Sequence, residues 1–282
     1  MPGAIILMYH SVALEDAASY VEPGNRVDPR TFERQMAFLA AERRVIALPE
    51  LVDTIAAGRA SPADTVCITF DDGYRDNLTV AAPILERYRL PATLFLATGF
   101  VERGEAQWSD RLHRLSLPAP DHRRLHAQLL EASHVERMRV LDEFTITEQP
   151  PRLMLDWDEA RQLLRRYPLF EIGGHTRDHV DLTRHPGEAR AQIEGCAADL
   201  RRELGAEPRA FSYPYGRWDV ATRQAVIDAG WRCAVAADAK GHVGPASDRY
   251  AMPRVEAPRS MTRFAFKTSS SFRGVFSMLG IA

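Results

Sequence analysis

Two adjacent carboxylates follow an apolar run that is typical of a buried β-strand. The run covers residues 64–70, and Asp71 and Asp72 come directly after it. The two carboxylates cannot both be buried in an apolar core unless each has a partner or a metal ion, because an unpaired buried charge is costly. The pair therefore belongs either to a solvated loop before the next helix or to a site of metal and acid–base chemistry.

Two histidines follow a second strand-like run, which ends in two glycines. His175 and His179 are four residues apart, and side chains at this spacing in a helical turn project from one face. Two imidazoles on one face can approach the same metal ion. The spacing alone is a weak indication, since His122 and His126 repeat it with no strand before them. We expect that second pair to lie on a solvated helix face.

A third segment, residues 211–216, reads Phe-Ser-Tyr-Pro-Tyr-Gly and also lies at the end of a strand-like run. Proline and glycine restrict the backbone of such a turn, and a rigid turn can direct an N–H group into a cleft. Taken alone, the segment is more typical of an ordinary turn that packs its tyrosines.

The elements that must position these segments alternate between strand and helix. Strands are predicted at 4–8, 64–70, 92–96, 169–173, 210–213 and 232–236, and helices at 29–44, 49–57, 78–88, 157–166, 188–204 and 218–229. This alternation predicts a parallel α/β sheet or barrel, and in a barrel the carboxyl ends of the strands meet at one face. Residues 105–155 break the rhythm and predict a mostly helical insertion, either a wall over the site or a structural excursion.

Composition excludes several classes of function. The chain has 282 residues, 45% of them hydrophobic, and a formal net charge of −2, so one or two domains are expected and no nucleic-acid partner is indicated. Lysine occurs only at Lys240 and Lys267, neither of which lies in a P-loop motif. No GxSxG motif is present, which disfavours a serine hydrolase.

Cysteine usage and apolar patterning bear on the location of the protein. The three cysteines, Cys67, Cys196 and Cys233, form no CxxC pair and are expected to be buried thiols. No apolar stretch approaches the roughly 18 residues of a membrane span, and the run at 4–9 is too short for a secretory signal. We therefore expect a cytoplasmic protein without a transmembrane segment.

The three segments, in this order and each at a strand end, resemble the motifs of the NodB-homology polysaccharide deacetylases, carbohydrate esterase family four. The resemblance extends from Ile5 to about Glu256. It implies an α/β fold, an irregular (β/α) barrel of about seven parallel strands. We expect residues 1–282 to form a single domain of this kind, with the helical insertion at about 105–155.

The resemblance also implies roles for the motif residues. Asp72, His175 and His179 would hold a divalent metal, Asp71 would be the general base, and the backbone amide of Tyr215 would contribute to the oxyanion hole. Two imidazoles and one carboxylate suit a catalytic Zn²⁺ that keeps a position open for water. Co²⁺, Ni²⁺, Fe²⁺ and Mn²⁺ accept the same ligand types.

The general acid of this family is commonly a histidine near the C-terminus, but no histidine follows His242. Residues 7–12 read Leu-Met-Tyr-His-Ser-Val, which resembles the circularly permuted branch, in which the first strand brings the acid histidine. The resemblance therefore implies that His10 is the general acid. A structural histidine at a strand end is the alternative.

A second departure concerns the arginine that often begins the third motif, because Ser212 stands at that place. Arg254 could supply the guanidinium from a late strand. A bidentate arginine would hold Asp71 in place and keep it ionised. Among the aromatic residues, Tyr74, Trp108 and Trp218 could stack on a sugar ring, although core packing is the more common role.

The expected function is hydrolysis of N-acetyl groups on an acetylated amino sugar in a polymer, oligosaccharide or lipid-linked precursor. The substrate is thus an acetylated carbohydrate, and the motifs give no indication of the oligomeric state. Two alternatives stay open. The same site could serve an O-acetyl esterase or a hydrolase of cyclic or formyl amides, and the chain could also be a catalytically silent carbohydrate-binding barrel.

Overall fold

Seven parallel strands form a closed barrel at the centre of the computed structural model, which describes residues 3–14, 20–144, 151–205, 207–237 and 241–269. Within these residues the strands are β1 (Ile5–Tyr9), β2 (Ser11–Val12), β3 (Arg26–Val27), β4 (Arg44–Val45), β5 (Thr65–Phe70), β6 (Ala92–Leu96), β7 (Phe170–Gly174), β8 (Ala210–Ser212), β9 (Cys233–Ala237) and β10 (Met252–Glu256). Around the barrel the order is β1, β5, β6, β7, β8, β9 and β10. The predicted barrel of about seven parallel strands is confirmed.

Strand β1 closes the barrel because it pairs in parallel with both β5 and β10. Strand β4 extends the sheet beyond β5, and β2 and β3 form a separate two-stranded sheet. All six residues of β5 are buried, as expected for a parallel strand covered by side chains inside the barrel and by helices outside it. The three cysteines are also buried and free, as predicted.

The helices surround the barrel and follow most of its strands. They are α1 (Pro29–Glu42), α2 (Leu48–Ala56), α3 (Ala82–Arg87), α4 (Thr98–Arg103), α5 (Trp108–Arg114), α6 (Ala119–Glu131), α7 (His134–Asp142), α8 (Trp157–Arg166), α9 (Pro186–Leu204), α10 (Val220–Asp228) and α11 (Met261–Lys267). In the described parts of the chain, none of these helices has the length and apolar character needed to cross a membrane.

The insertion is helical, as predicted, over its described residues. Helices α5, α6 and α7 lie within 105–144, whereas residues 145–150 are outside the described residues. Trp108, Leu112, Leu129 and Leu141 form a small apolar core of their own among these helices. The insertion therefore has a packed interior and a fixed shape.

The helix predicted at 78–88 differs from the observed one. Residues Asn77–Ala81 form a π-helical turn, and the α-helix begins only at Ala82. Pro83 is the physical reason, because proline has no N–H to donate to the carbonyl of Thr79, four residues earlier. Instead, the N–H of Ala82 donates to the carbonyl of Asn77.

The close approach of β7 to β8 provides a test of barrel packing. A Cβ added at Gly173 would lie 2.5 Å from the carbonyl oxygen of Ala210 and 2.7 Å from the ring of Phe95. Gly173→Ala should therefore lower the free energy of unfolding by about 1–3 kcal/mol, measured by urea denaturation. Gly187→Ala is the control, because no atom lies within 4 Å of the added Cβ there. A Gly173→Ala protein as stable as the wild type would contradict this account of the packing.

Candidate active site

The carboxyl ends of the barrel strands converge on a cavity of about 330 Å³. His10 follows β1, Asp71 and Asp72 follow β5, and His175 follows β7. The residues predicted from sequence that line the cavity are His10, Asp71, Asp72, His175, His179 and Tyr215. The barrel thus brings together side chains that are up to 205 positions apart in the chain, as far as His10 is from Tyr215.

Asp72, His175 and His179 form a compact cluster of donor atoms. The Oδ1 atom of Asp72 lies 3.6 Å from Nε2 of His175 and 3.6 Å from Nε2 of His179. All three donor atoms lie within 4.8 Å of one another. The edge of a tetrahedron with zinc-like bonds is about 3.3 Å, so the cluster has nearly the right size for such an ion. The residues present therefore fit a divalent metal.

The protonation of the two imidazoles also suits metal binding. Nδ1 of His175 lies 2.7 Å from the carbonyl oxygen of Ser212, which only accepts hydrogen bonds. Nδ1 must therefore carry the proton, which leaves the lone pair of Nε2 directed at the cluster. Burial lowers the pKa of His175 to about 4 and holds the pKa of His179 well below its usual value. Both rings are neutral near pH 7.

The backbone at the site is strained. Four non-glycine residues adopt the left-handed conformation, with φ of +75° at Asp72, +63° at Thr176, +49° at His179 and +58° at Tyr215. Each such residue costs on the order of 1–3 kcal/mol, and such strain is concentrated at functional sites, where the surrounding structure maintains it.

Gln192 of α9 stabilises the turn between the two histidines. Its Oε1 accepts hydrogen bonds from the N–H groups of Arg177 and Asp178, at 3.1 and 2.9 Å. Its Nε2 donates to Oδ2 of Asp178 at 2.7 Å. A single buried amide therefore fixes the conformation that brings His175 and His179 together.

Asp71 is paired with the arginine predicted for it. Nη1 and Nη2 of Arg254 donate to the two carboxylate oxygens at 2.7 and 2.6 Å, and the pair is buried. Arg254 also donates to the hydroxyls of Thr69 and Ser212, at 3.1 and 2.8 Å. Burial alone would raise the pKa of Asp71, but the charge of Arg254 and its hydrogen bonds to the carboxylate outweigh it and leave the pKa below its usual value. Asp71 is ionised throughout the neutral range.

Asp72 has the opposite electrostatic environment. Burial and the negative charges of Asp71 and Asp110 raise its pKa well above the usual value. A carboxylate in such surroundings gains most from a cation placed against it. The two adjacent acids are therefore electrostatically distinct, which is how paired carboxylates commonly divide their roles.

The segment of His10 is fixed by two side chains of the turn after β5. Nδ2 of Asn77 donates to the carbonyl of His10 at 2.8 Å. The carboxylate of Asp76 accepts from the hydroxyl of Ser11 and the N–H of Val12. Burial lowers the pKa of His10, and the nearby charge of Asp71 opposes that shift.

The insertion supplies one wall of the cavity, where Trp108, Ser109, His126 and Leu130 line it. The expectation of a solvated face for His126 is wrong, since its ring lies 5.2 Å from that of Trp108. Nε1 of Trp108 in turn donates to the hydroxyl of Tyr215 at 3.0 Å. The periodicity of the helix does not predict that it packs against the cavity.

Several polar residues of the cavity were not predicted, and two of the three aromatic candidates do not line it. Glu22, Gln107 and Arg217 line the cavity, and no motif marks them. Tyr74 is fully buried and donates its hydroxyl to Asp110, so it presents no face to a sugar. Trp218 is 40% exposed, stacks on Tyr213 and does not line the cavity.

The structure thus combines a parallel barrel with a cluster of possible metal ligands at its strand ends and a neighbouring carboxylate held by arginine. A model of the polysaccharide deacetylase family matches residues 58–234, and the chain belongs to that family. The resemblance seen in the motifs is thereby confirmed. Family membership supports a carbohydrate deacetylase.

Individual relatives are similar to this chain in sequence or in fold. YxkH of Bacillus subtilis (strain 168), which is assigned as a polysaccharide deacetylase, is 23% identical over 263 residues, covering 93% of this chain and 74% of YxkH. The Streptococcus pyogenes deacetylase PplD, solved in complex with acetate, has a TM-score of 0.70 at 19% identity and covers 95% of this chain and 99% of its own. IcaB from Ammonifex degensii has a TM-score of 0.65 at 20% identity, with coverage of 94% and 95%. The two structures share the fold.

The buried ion pair between Asp71 and Arg254 gives a prediction about stability. Arg254→Met leaves the Asp71 charge buried without its partner, so the free energy of unfolding at pH 7 should fall by about 3–5 kcal/mol. The wild-type pair stabilises the fold above the unfolded pKa of Asp71, about 4, and that contribution is lost as the pH falls further. In the variant, burial raises the pKa of Asp71, so protonation relieves the penalty as the pH falls. The difference between the two proteins should narrow from pH 7 to pH 4.

The measurement is chemical denaturation at several pH values. Arg223→Met is the matched control, because Arg223 pairs with Asp248 at the surface, where such pairs contribute about 1 kcal/mol or less. A difference between wild type and Arg254→Met that does not change with pH would contradict the electrostatic account.

Proposed function

We propose that this protein is a metal-dependent deacetylase that hydrolyses the N-acetyl group of an acetylated amino sugar. The main support is the position of an ionised base, Asp71, beside the cluster of Asp72, His175 and His179 in one cavity. The substrate would be a polysaccharide, an oligosaccharide or a lipid-linked precursor. We also infer that the chain acts as one domain, since the barrel strands extend from Ile5 to Glu256.

Asp72, His175 and His179 are the residues that would hold the cation, and Zn²⁺ is the ion that this donor set favours. Co²⁺, Ni²⁺, Fe²⁺ and Mn²⁺ use the same ligand types and are the alternatives. A bound divalent cation would polarise the acetyl carbonyl and lower the pKa of the attacking water.

The residues of the chain carry the proton transfers. Asp71 accepts a proton from the attacking water as the new C–O bond forms, and Arg254 holds it ionised and oriented for that role. The backbone N–H of Tyr215 donates to the carbonyl oxygen as it becomes negative. His10 donates a proton to the amine nitrogen as the C–N bond breaks. The products are acetate and a free amino sugar.

Two substitutions are expected to separate the loss of the general base from the loss of the metal. Asp71→Asn should keep the metal but lower kcat for acetate release by about 10²–10⁴-fold, since it removes the general base. His175→Ala should lose the metal, as measured by elemental analysis after dialysis. Asp199→Asn is the control, because Asp199 is also buried and paired with arginines but does not line the cavity.

Acetate release from N-acetylglucosamine oligomers is the activity to be measured in these variants. Full turnover by Asp71→Asn would refute the base assignment. Metal-independent binding of the oligomers without turnover in the wild type would instead indicate a carbohydrate-binding barrel.

The role of His10 is tested by the leaving group. An amine leaves only when protonated, whereas the nitrophenolate of 4-nitrophenyl acetate leaves without a proton. His10→Asn should therefore lower kcat on N-acetyl substrates by about 10²–10⁴-fold and affect the aryl ester much less. Equal losses on both substrates would show that His10 acts in some way other than as the acid. Wild-type preference for O-acetyl over N-acetyl sugars in the same assay would favour the esterase alternative.

A further inference from the structure

Asp72 accepts a hydrogen bond from a residue that lies outside all of the sequence motifs. Nε2 of Gln107 donates to Oδ1 of Asp72 at 2.9 Å, and both side chains are almost fully buried. The same Oδ1 atom is the one that lies 3.6 Å from Nε2 of both His175 and His179. The amide of Gln107 therefore donates to the same carboxylate oxygen that lies near both imidazoles.

Gln107 immediately precedes α5, and hydrogen bonds hold the start of this helix beside the site. The carbonyl of Gln107 accepts from the N–H of Arg111 in the first turn of the helix. Asp110, three residues further on, accepts from the hydroxyl of Tyr74 at 2.8 Å and from the N–H of Glu22 at 2.9 Å. Since Tyr74 lies two residues after Asp72, the helix and the carboxylate are tied to the same turn.

The neutral charge of the donor is significant. Asp71 shows what a cationic donor does to a carboxylate here, since Arg254 occupies both of its oxygens and compensates its charge. An arginine or lysine at position 107 would compete with a metal ion for Asp72 in the same way. An amide orients the carboxylate and leaves its negative charge available to a cation.

We propose that Gln107 is a positioning residue that orients Asp72 for metal binding, so that the insertion is part of the metal centre. This inference rests on the proposed metal-dependent function. Loss of a group that orients a ligand typically lowers metal affinity by about 10–100-fold.

The test compares two identical substitutions. Gln107→Met keeps the length of the side chain and removes the N–H donor. Gln35→Met is the control, because Gln35 is equally buried but bonds to Tyr9 and the carbonyl of Pro258, away from the cluster. The metal-free proteins are titrated with Zn²⁺ in competition with a chromophoric chelator, which measures the affinity without any assay of activity.

Gln107→Met should bind Zn²⁺ about 10–100-fold more weakly than the wild type, while Gln35→Met should lose stability but keep its Zn²⁺ affinity. A folded Gln107→Met protein with wild-type affinity would overturn the inference and leave the proposed function intact. A wild-type protein that binds no Zn²⁺ or other divalent cation at this site would overturn both.

If Gln107→Met does not fold, Gln107→Asn is measured in its place, because it keeps a neutral amide but withdraws it by one methylene group. Weaker Zn²⁺ binding by Gln107→Asn would support the positioning role, and unchanged binding would overturn it. Equal losses of affinity in the Gln107 and Gln35 variants would mean that destabilisation alone is responsible, which would also overturn it.

Discussion

Two carboxyl groups that are adjacent in the chain and buried in one cavity would repel each other if both were ionised, and the site is organised around that constraint. The charge of Asp71 is compensated by the guanidinium of Arg254, which lies in contact with both of its oxygens. Asp72 faces two neutral imidazoles and a neutral amide, none of which compensates its charge. The pKa values of the two acids are pushed apart as a result, so that one is suited to be a base and the other a metal ligand.

Closure of the barrel is what makes this charge compensation possible. Arg254 lies within β10 and Asp71 follows β5, and β1 lies between these two strands and pairs with both. The guanidinium reaches the carboxylate because β1 holds β10 and β5 on its two sides. The last strand of the barrel therefore contributes the cation that allows the first motif to be buried, and the stability of the barrel is coupled to its chemistry.

The sequence predicts those parts of the site that depend on local pattern. Strand ends are marked by apolar runs, and the carboxylate pair and the two histidines stand at two of these ends. The sequence therefore brings Asp72, His175 and His179 forward as candidates, and the family resemblance implies their roles. The docking of the insertion cannot be found in this way, because the periodicity of a helix shows which face is apolar and not which element it packs against. For that reason the sequence places His126 in solvent, and it gives no sign of Gln107, which touches Asp72.

The exchange of the usual arginine for Ser212 shows why a motif position and a chemical role are separable. A buried carboxylate needs a nearby cation to stay ionised, but nothing requires that cation to come from the strand that carries the third motif. Here it comes from β10, and the hydroxyl of Ser212 accepts from the same guanidinium at 2.8 Å. The serine thus fills the space next to Arg254 with a hydrogen-bonding group of small volume. An arginine at position 212 would place a second cation in the same buried space, where like charges repel. The small residue in the motif therefore leaves room for the guanidinium that the late strand supplies.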